Sequence, residues 1–479
     1  MPLRLNTLGA GSRRWSFPWR LAVAAVVSGC GQGSRPPGVV PSPRPLGKDL
    51  PVYQPARGER ERPEGPAFEN PGGAITLRDA VGLALLHSPD LAAFAWEVRA
   101  REATAVQAGR LPNPVLAVTA EDLGASKALR GVAGTERLVG PQTTVQLSQL
   151  VELGGKRIAG RKLAELNRYV AEWDYEIARI DVLTQATRDF IDVLAAQELV
   201  SLSNETTRLV EQAAQSVGAR VVAGVASPIE QTRAEVALAG VRVESARARQ
   251  TLIASRARLA AVWGSTEAAF DTVVGDLRQV VEPPSLADLK ARLVNSPELA
   301  RWTADIAQRQ SARALERARR IPDVSFTAGF RRYSDLNGNT VLIGASVPLP
   351  IFDRNGAAAT AANARLAKAF EERRAAQARV SVMLTETHRA LSTAYDEVTA
   401  LRTTVVPGSQ QTFEAVSEGY RLGKFGFLDL LDAQRTLIGS GSQYLRALSE
   451  YHKAAADVER LLGEPLRQTA VSPVPPGKE

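Results

Sequence analysis

Residues 75–94, ITLRDAVGLALLHSPDLAAF, and residues 284–302, PSLADLKARLVNSPELARW, are two copies of one pattern. Each opens with Ser or Thr before Leu and carries a Ser-Pro-acid-Leu core: Ser88-Pro89-Asp90-Leu91 in the first, Ser296-Pro297-Glu298-Leu299 in the second. The correspondence continues outward. Leu111-Pro112-Asn113 matches Ile321-Pro322-Asp323, ARVVAGVASPIEQ (219–231) lies opposite GYRLGKFGFLDLL (419–431), and Trp263-Gly264 is matched by Leu462-Gly463. A period of roughly 200 residues is far longer than a solenoid repeat, so the chain holds two copies of one large unit. We place them at 74–282 and 283–464.

Each unit reads the same way. A helical segment with a Pro-containing break leads to two strands joined by a loop. A very long helix, a Gly-containing turn and another long helix follow. In the first unit Leu163, Leu166, Val170, Trp173, Ile177 and Ile180 alternate by three and four; Thr184, Thr187, Ile191 and Leu194 keep the register. A 3.5-residue period specifies coiled-coil packing. Pro is absent and Gly scarce from Lys156 to Val217, a rod of roughly 90 Å at 1.5 Å per residue. Its counterpart runs from about Ala357 to Tyr420, with an interruption expected at Pro407-Gly408.

The strands are short and alternate. Val324, Phe326, Ala328 and Phe330 share one face against Ser325, Thr327, Gly329 and Arg331 on the other. Val341, Ile343, Ala345 and Val347 oppose Leu342, Gly344 and Ser346. Val145 and Leu147 alternate with Gln146 and Ser148, and Val115 to Glu121 is a weaker candidate. This is the pattern of a transmembrane barrel strand, and equally of a half-buried soluble sheet. Four strands cannot close a membrane barrel, and an open edge in lipid leaves backbone groups unpaired at several kcal/mol each. If these strands cross a bilayer, several chains share one barrel.

The N-terminus has the order of an export signal: Arg13, Arg14 and Arg20, an apolar run from Leu21 to Val27, then Val27-Ser28-Gly29-Cys30. We read 1–29 as a signal peptide and 30–73, rich in Pro, Gly and Arg, as a linker; 465–479 reads as a disordered tail. Cys30 is the only cysteine, which excludes an intramolecular disulfide. The Cys30 tetrapeptide resembles the bacterial lipoprotein signature, the alternative being an ordinary signal with an incidental cysteine. No other apolar run reaches the roughly 20 residues of a membrane helix. The 479 residues are 44% hydrophobic, 23% charged and only 5% aromatic, a folded composition suited to closely packed helices. The net charge of +8 comes from Arg spread along the chain among Glu and Asp, which reads as solvated helix faces and not as a nucleic-acid surface.

A lipidated N-terminus, a duplicated unit of long helices and two strands per unit together resemble the TolC-type outer-membrane efflux proteins, over about residues 75–464. The resemblance implies an α+β membrane protein: long antiparallel coiled-coil helices form an α-barrel, and four transmembrane strands per chain close a twelve-stranded β-barrel in a homotrimer. It also implies a lipid-anchored chain in the outer-membrane lipid, reaching into the periplasm. The expected partners are a periplasmic adaptor (membrane fusion) protein and an inner-membrane pump of the resistance-nodulation-division type, with no nucleic acid, no cofactor and no resident metal. The hairpin from Gly419 to Ala433 carries the most specific match. By resemblance it is the periplasmic tip, with adaptor contacts at Gly224, Val225, Ser227, Leu422 and Gly423, and a pore constriction drawn from Asp429, Asp432, Tyr420, Phe425 and Glu230. Rings of Asp select cations, but Asp429 and Asp432 are also well placed as solvated helix-start acids. Phe425 stands where the family often carries an Arg lock. Glu152-Leu153-Gly154-Gly155-Lys156-Arg157 and the junction from Val347 to Gly356 resemble the cobalt–zinc–cadmium efflux branch.

No P-loop, GxSxG, paired-Cys or HExxH motif is present, so no enzyme is indicated. His87, His388 and His452 are far apart, and Met1 and Met383 are the only methionines, which gives no thioether path for copper or silver. The leading reading is an outer-membrane efflux conduit for heavy-metal cations. The alternatives are a channel for drugs or other organic solutes, and a coiled-coil lipoprotein that spans the periplasm without conducting.

Overall fold

The fold was obtained as a computed structural model, which describes residues 39–55, 70–123, 141–334 and 338–466. The signal segment, Cys30 and the tail beyond residue 466 lie outside the described residues.

The first copy opens with strand β1 (Gly73–Thr76) and helices α1 (Leu77–His87) and α2 (Pro89–Ala108). Strands β2 (Val115–Glu121) and β3 (Gln142–Val151) precede the 67-residue helix α3 (Lys156–Val222), which turns into α4 (Pro228–Val262). Strand β4 (Phe270–Val274) and helix α5 (Leu286–Arg292) lead into the second copy. It continues through α6 (Pro297–Ala318), β5 (Val324–Tyr333), β6 (Gly338–Ser346), α7 (Gly356–Ala400), α8 (Val406–Arg421) and α9 (Phe427–Leu462).

The duplicated motifs have physical causes. Thr76 caps α1, and Asp79 reaches back to it; Ser285 caps α5, and Asp288 takes the same place. The hydrogen bonds from Thr76 hold the Asp79 carboxyl below its ordinary pKa. Pro89 and Pro297 begin α2 and α6, where a missing N–H costs nothing. They have a second use. The long helices α4 and α9 end at Gly264 and Gly463, both left-handed (φ 79° and 71°). A Cβ at Gly264 would lie 3.0 Å from Pro89, and one at Gly463 would lie 2.8 Å from Pro297. The same Pro–Gly stacking closes each copy.

Helix α3 packs against α1, α2, α4, α6 and α9. The heptad positions Leu166, Trp173, Ile180, Thr184, Ile191 and Leu194 are buried, but so are Tyr169, Glu176, Leu183, Phe190 and Val193. The second stripe exists because α3 has neighbours on several sides, which a single seam cannot serve. The interruption expected at Pro407-Gly408 lies slightly earlier, as a π-helical turn over Leu401–Val405. Pro407 lacks an N–H for the preceding turn, and the wider turn re-registers the backbone without breaking the rod. Asp353 does not cap α7, as its place before the helix would allow; the N-cap is Asn355 (φ 55°), whose backbone N–H Asp353 accepts at 2.8 Å. The parallel β1–β4 pair has no sequence signal strong enough to find it, since each strand has five residues or fewer. Two histidines fasten the crossover between copies: His388 bonds the Pro284 carbonyl and His452 that of Leu277, while Tyr451 bonds both N–H and C=O of Val281.

Residues 39–55 contain no helix or strand, yet they lie docked across the helices. The Trp173 indole donates to the Val39 carbonyl at 3.2 Å. Glu176 and Arg179, 6% and 4% exposed, pair with each other and clasp the segment's backbone. Glu176 accepts the Arg44 N–H at 2.7 Å, and Arg179 donates to the Leu46 carbonyl at 2.9 Å. Leu46 N–H then reaches the Gly463 carbonyl, so the strap ties the start of the chain to its last helix. Replacing Glu176→Ala strands the Arg179 charge and the Arg44 N–H. We expect a loss of about 3–5 kcal/mol in denaturant unfolding, with new proteolysis within 39–55.

Candidate functional site

Two regions carry candidate function: the four-stranded sheet at one end of the helices and the paired hairpin tips. The sheet runs β2-β3-β5-β6, antiparallel throughout. Its register aligns Leu116, Leu147, Ala328 and Ile343 in one row and Val118, Val145, Phe330 and Val341 in the next. These rows share a face and form one apolar band across all four strands. Ile343 is 87% exposed and Val341 74%. The other face is polar and internally bonded. Ser148 and Thr327 meet at 2.8 Å, and Arg331 donates to Thr144 at 2.9 Å and pairs with Glu121 at 3.5 Å. Gly329 lets the β3 backbone approach closely, since a Cβ there would run into the Val145 carbonyl. The outer edges of β2 and β6 have no partner strand among the described residues. No described helix is long and apolar enough to cross a membrane.

The tips are two copies of one turn. Gly224 (φ 75°) and Gly423 (φ 72°) each stand three residues before an N-cap, Ser227 for α4 and Gly426 for α9. Glu230 and Asp429 therefore hold the same position in their helices. Gly224, Val225, Ser227, Leu422 and Gly423 are all exposed around these turns.

The five constriction candidates occupy different environments. The Asp429 carboxylate turns back to accept the Gly426 N–H at 2.9 Å, while Asp432, one turn on, is exposed. Phe425 is 47% exposed and lies over Gly419, where any Cβ would enter its ring. Tyr420 is buried within the chain at 6% exposure, packed with Val217, Ala234, Phe427 and Leu430. Burial raises the Tyr420 pKa; half-buried Glu230 adds to the rise and Arg220 opposes it. Thus the structure brings Tyr420 and Glu230 together, and sets Asp429, Asp432 and Phe425 on the outside of the second hairpin.

Arg220 is the residue the sequence did not single out. Its guanidinium lies 4.6 Å from the Tyr420 ring centroid and donates to the Tyr420 carbonyl at 3.2 Å. It bridges the end of α3 to the end of α8, beside a groove of about 710 Å³ lined by both. Only its last-turn position on α3 hinted at a role, and that alone reads as a helix-end cation.

Long paired helices with a small amphipathic sheet make this an α+β fold. The solved structure of CusC superposes with a TM-score of 0.68 over 87% of this chain and 99% of CusC, at 16% identity. A membrane protein from Pseudomonas aeruginosa gives 0.69 over 85% of this chain and 99% of its own, at 21% identity. The sequence pattern of the family described as outer membrane efflux protein matches residues 80–265 and 289–464. The cobalt-zinc-cadmium resistance protein CzcC of Cupriavidus metallidurans is 34% identical over 391 residues, 82% of this chain and 90% of CzcC. The nickel-cobalt-cadmium resistance protein NccC of Alcaligenes xylosoxydans xylosoxydans is 28% identical over 334 residues, 70% of this chain and 72% of NccC. The chain belongs to the outer membrane efflux protein family, a family of transport proteins of the outer membrane.

The Arg220 bridge is testable. Arg220→Ala removes a cation–π contact and a hydrogen bond, together about 1–2 kcal/mol. We expect faster amide exchange over 413–426, with exchange in α7 unchanged.

Proposed function

We propose that three copies of this chain form the outer-membrane channel of a tripartite heavy-metal efflux system. The single observation that carries the assembly is the exposed apolar band on a sheet with two open edges. In water the band has no reason to be apolar; in lipid the edges must be paired. Three chains give twelve strands, enough to close, with the hydroxyl-rich face inward. The helices then continue the passage into the periplasm as an α-barrel. Export by the 1–29 signal and lipidation of Cys30 would anchor each copy, and the strap at 39–55 would begin just beyond that anchor.

Metal cations are the cargo on this reading because similarity to a cobalt-zinc-cadmium resistance protein spans four-fifths of the chain. A conduit needs no tight metal site, since a passing ion must leave again. The adaptor docks at the exposed turns around Gly224, Val225, Ser227, Leu422 and Gly423, and a resistance-nodulation-division-type pump supplies the solute. Asp429 and Asp432 from three chains would ring the periplasmic mouth. Their roles divide: Asp429 is partly spent on capping α9, whereas Asp432 has no such duty.

Growth of a deletion strain on cobalt, zinc, cadmium and copper salts beside dyes and antibiotics tests the cargo. We expect metal sensitivity, reversed by restoring the gene. Sensitivity to organic compounds alone would replace the metal reading with an organic-solute channel.

The ring assignment has its own test. In planar bilayers, Asp432→Asn is expected to lower cation-over-anion permeability with no change in unfolding. Asp429→Ala is expected to lower selectivity and also to cost about 1 kcal/mol in stability, because the cap is lost. Unchanged selectivity in both variants would sink the assignment.

A further inference from the structure

The four junctions between sheet and helices lie at one end of the sheet: before β2, after β3, before β5 and after β6. Each sets Pro or Gly beside basic residues: Arg110 before β2, Lys156 and Arg157 after β3, Arg319 and Arg320 before β5, and Arg354 after β6. Val347, Leu349 and Ile351 continue the parity of Val341, Ile343 and Ala345, so the apolar series runs five residues past the last paired strand position, Ser346. Leu349 is 74% exposed, Ile351 61% and Phe352 100%. Pro348 and Pro350 lack the N–H groups that would let this stretch extend the ladder.

The segment is nevertheless held in shape. Arg354 donates to the Pro350 carbonyl at 3.2 Å, Asp353 accepts the Asn355 N–H at 2.8 Å, and the Asn355 amide donates to the Glu316 carbonyl at 2.8 Å. It is a preformed apolar projection and not a frayed end.

Around it the exposed charge is mostly positive. Arg317, Arg319 and Arg320 end α6, while Arg157 and Lys162 begin α3. Of the acids in the same junctions, Asp323 pairs with Lys156 at 2.7 Å, Glu316 pairs with Arg319 at 2.7 Å and Asp353 accepts the Asn355 N–H. Of these cations, Arg317, Arg320, Arg157 and Lys162 have no ion-pair partner among the described residues. A ring of exposed Arg and Lys with an apolar wedge, bordering a lipid-facing band, has the chemistry of a membrane–water interface: the side chains bury their stems and set their charge among phosphates.

We propose that this collar seats the protein in the phospholipid leaflet nearest the helices, with Val347–Phe352 inserted at the headgroup–acyl boundary and the α6 arginines paired to lipid phosphates. The proposal rests on the barrel reading of the sheet. It gives the protein a depth stop: the band fixes which strands lie in lipid, and the collar fixes where they end.

The test uses full-length protein reconstituted in vesicles, with Phe352→Trp and, as a reference within the band, Ile343→Trp. The emission of each added tryptophan is taken as the difference from the unsubstituted protein. Lipids brominated high or low on their acyl chains report depth. We expect both added tryptophans to be blue-shifted and quenched, Phe352→Trp more by shallow bromines and Ile343→Trp more by deep ones. Quenching of Ile343→Trp alone overturns the collar and leaves the barrel standing; in that case a blue-shifted, unquenched Phe352→Trp marks a neighbouring copy as the cover. Quenching of neither overturns the barrel reading itself. Brominated phosphatidylglycerol should quench Phe352→Trp more than brominated phosphatidylcholine at equal mole fraction. Replacing Arg317, Arg319 and Arg320 with Gln should remove that difference. Equal quenching before replacement overturns the phosphate pairing.

Discussion

A helix of 67 residues, about 100 Å long, draws little of its stability from itself, and everything else in this protein follows from how α3 is supported. Helix propensity contributes tenths of a kcal/mol per residue, whereas burial of apolar stripes contributes several times more. α3 therefore carries different neighbours along its length: the strap, α1, α2 and α6 around its first half, α4 along its second half, and α9 from the second copy. Its polar pairs follow the same logic. Asp181, Arg188 and Asp192 face Arg460, Asp457 and Lys453 in an antiparallel ladder that joins the two copies. These pairs are partly exposed, so each is worth little alone. Their sum fixes the sliding register of two helices that apolar packing alone leaves nearly degenerate.

Much of this was legible in the sequence because the decisive signals are local. The Ser/Thr caps, the Ser-Pro motif and the terminal Gly residues recur in both copies, and each has a local backbone cause. The alternation in 324–330 and 341–347 gave strands with the correct facing residues, because a period of two survives any tertiary context. What could not be read depends on contacts between distant segments. Residues 39–55 carry the Pro and Gly of a linker, and Trp173, Glu176, Arg179 and Gly463, all more than 120 positions away, hold their backbone in place. Likewise nothing in the turn sequence says that Tyr420 faces inward against α3 and α4 while Phe425 faces out.

The two copies are alike in their caps and unlike at their tips, and the differences fall on one side. The π-helical turn, Pro407 and the buried Ser409–Ser440 hydroxyl contact belong to the second copy. Where the first copy has Arg220, anchored to its partner hairpin, the matching position in the second is Gly419, which accommodates Phe425. The first hairpin is thus built on a continuous helix and the second on a re-registered one. Arg220 ties the two hairpins to each other.

Net charge and ion preference need not agree in such a molecule. The full sequence carries +8, four of those charges on Arg4, Arg13, Arg14 and Arg20 of the signal segment, yet on the channel reading the protein passes cations. Screening resolves the conflict: at physiological ionic strength charges act over about 8 Å, so arginines on the outer helix faces and around the sheet base do not set the potential inside a pore. On the proposed assembly, what counts is the short stretch where three chains would converge. There, two acids per chain near the axis would outweigh many cations farther away. The polar sheet face fits the same scheme: its hydroxyls are neutral, and Arg331 is matched by Glu121, which leaves a wall with little net field. On the proposed assembly, selectivity would be confined to the tip, and the wide end would pass whatever the tip admits.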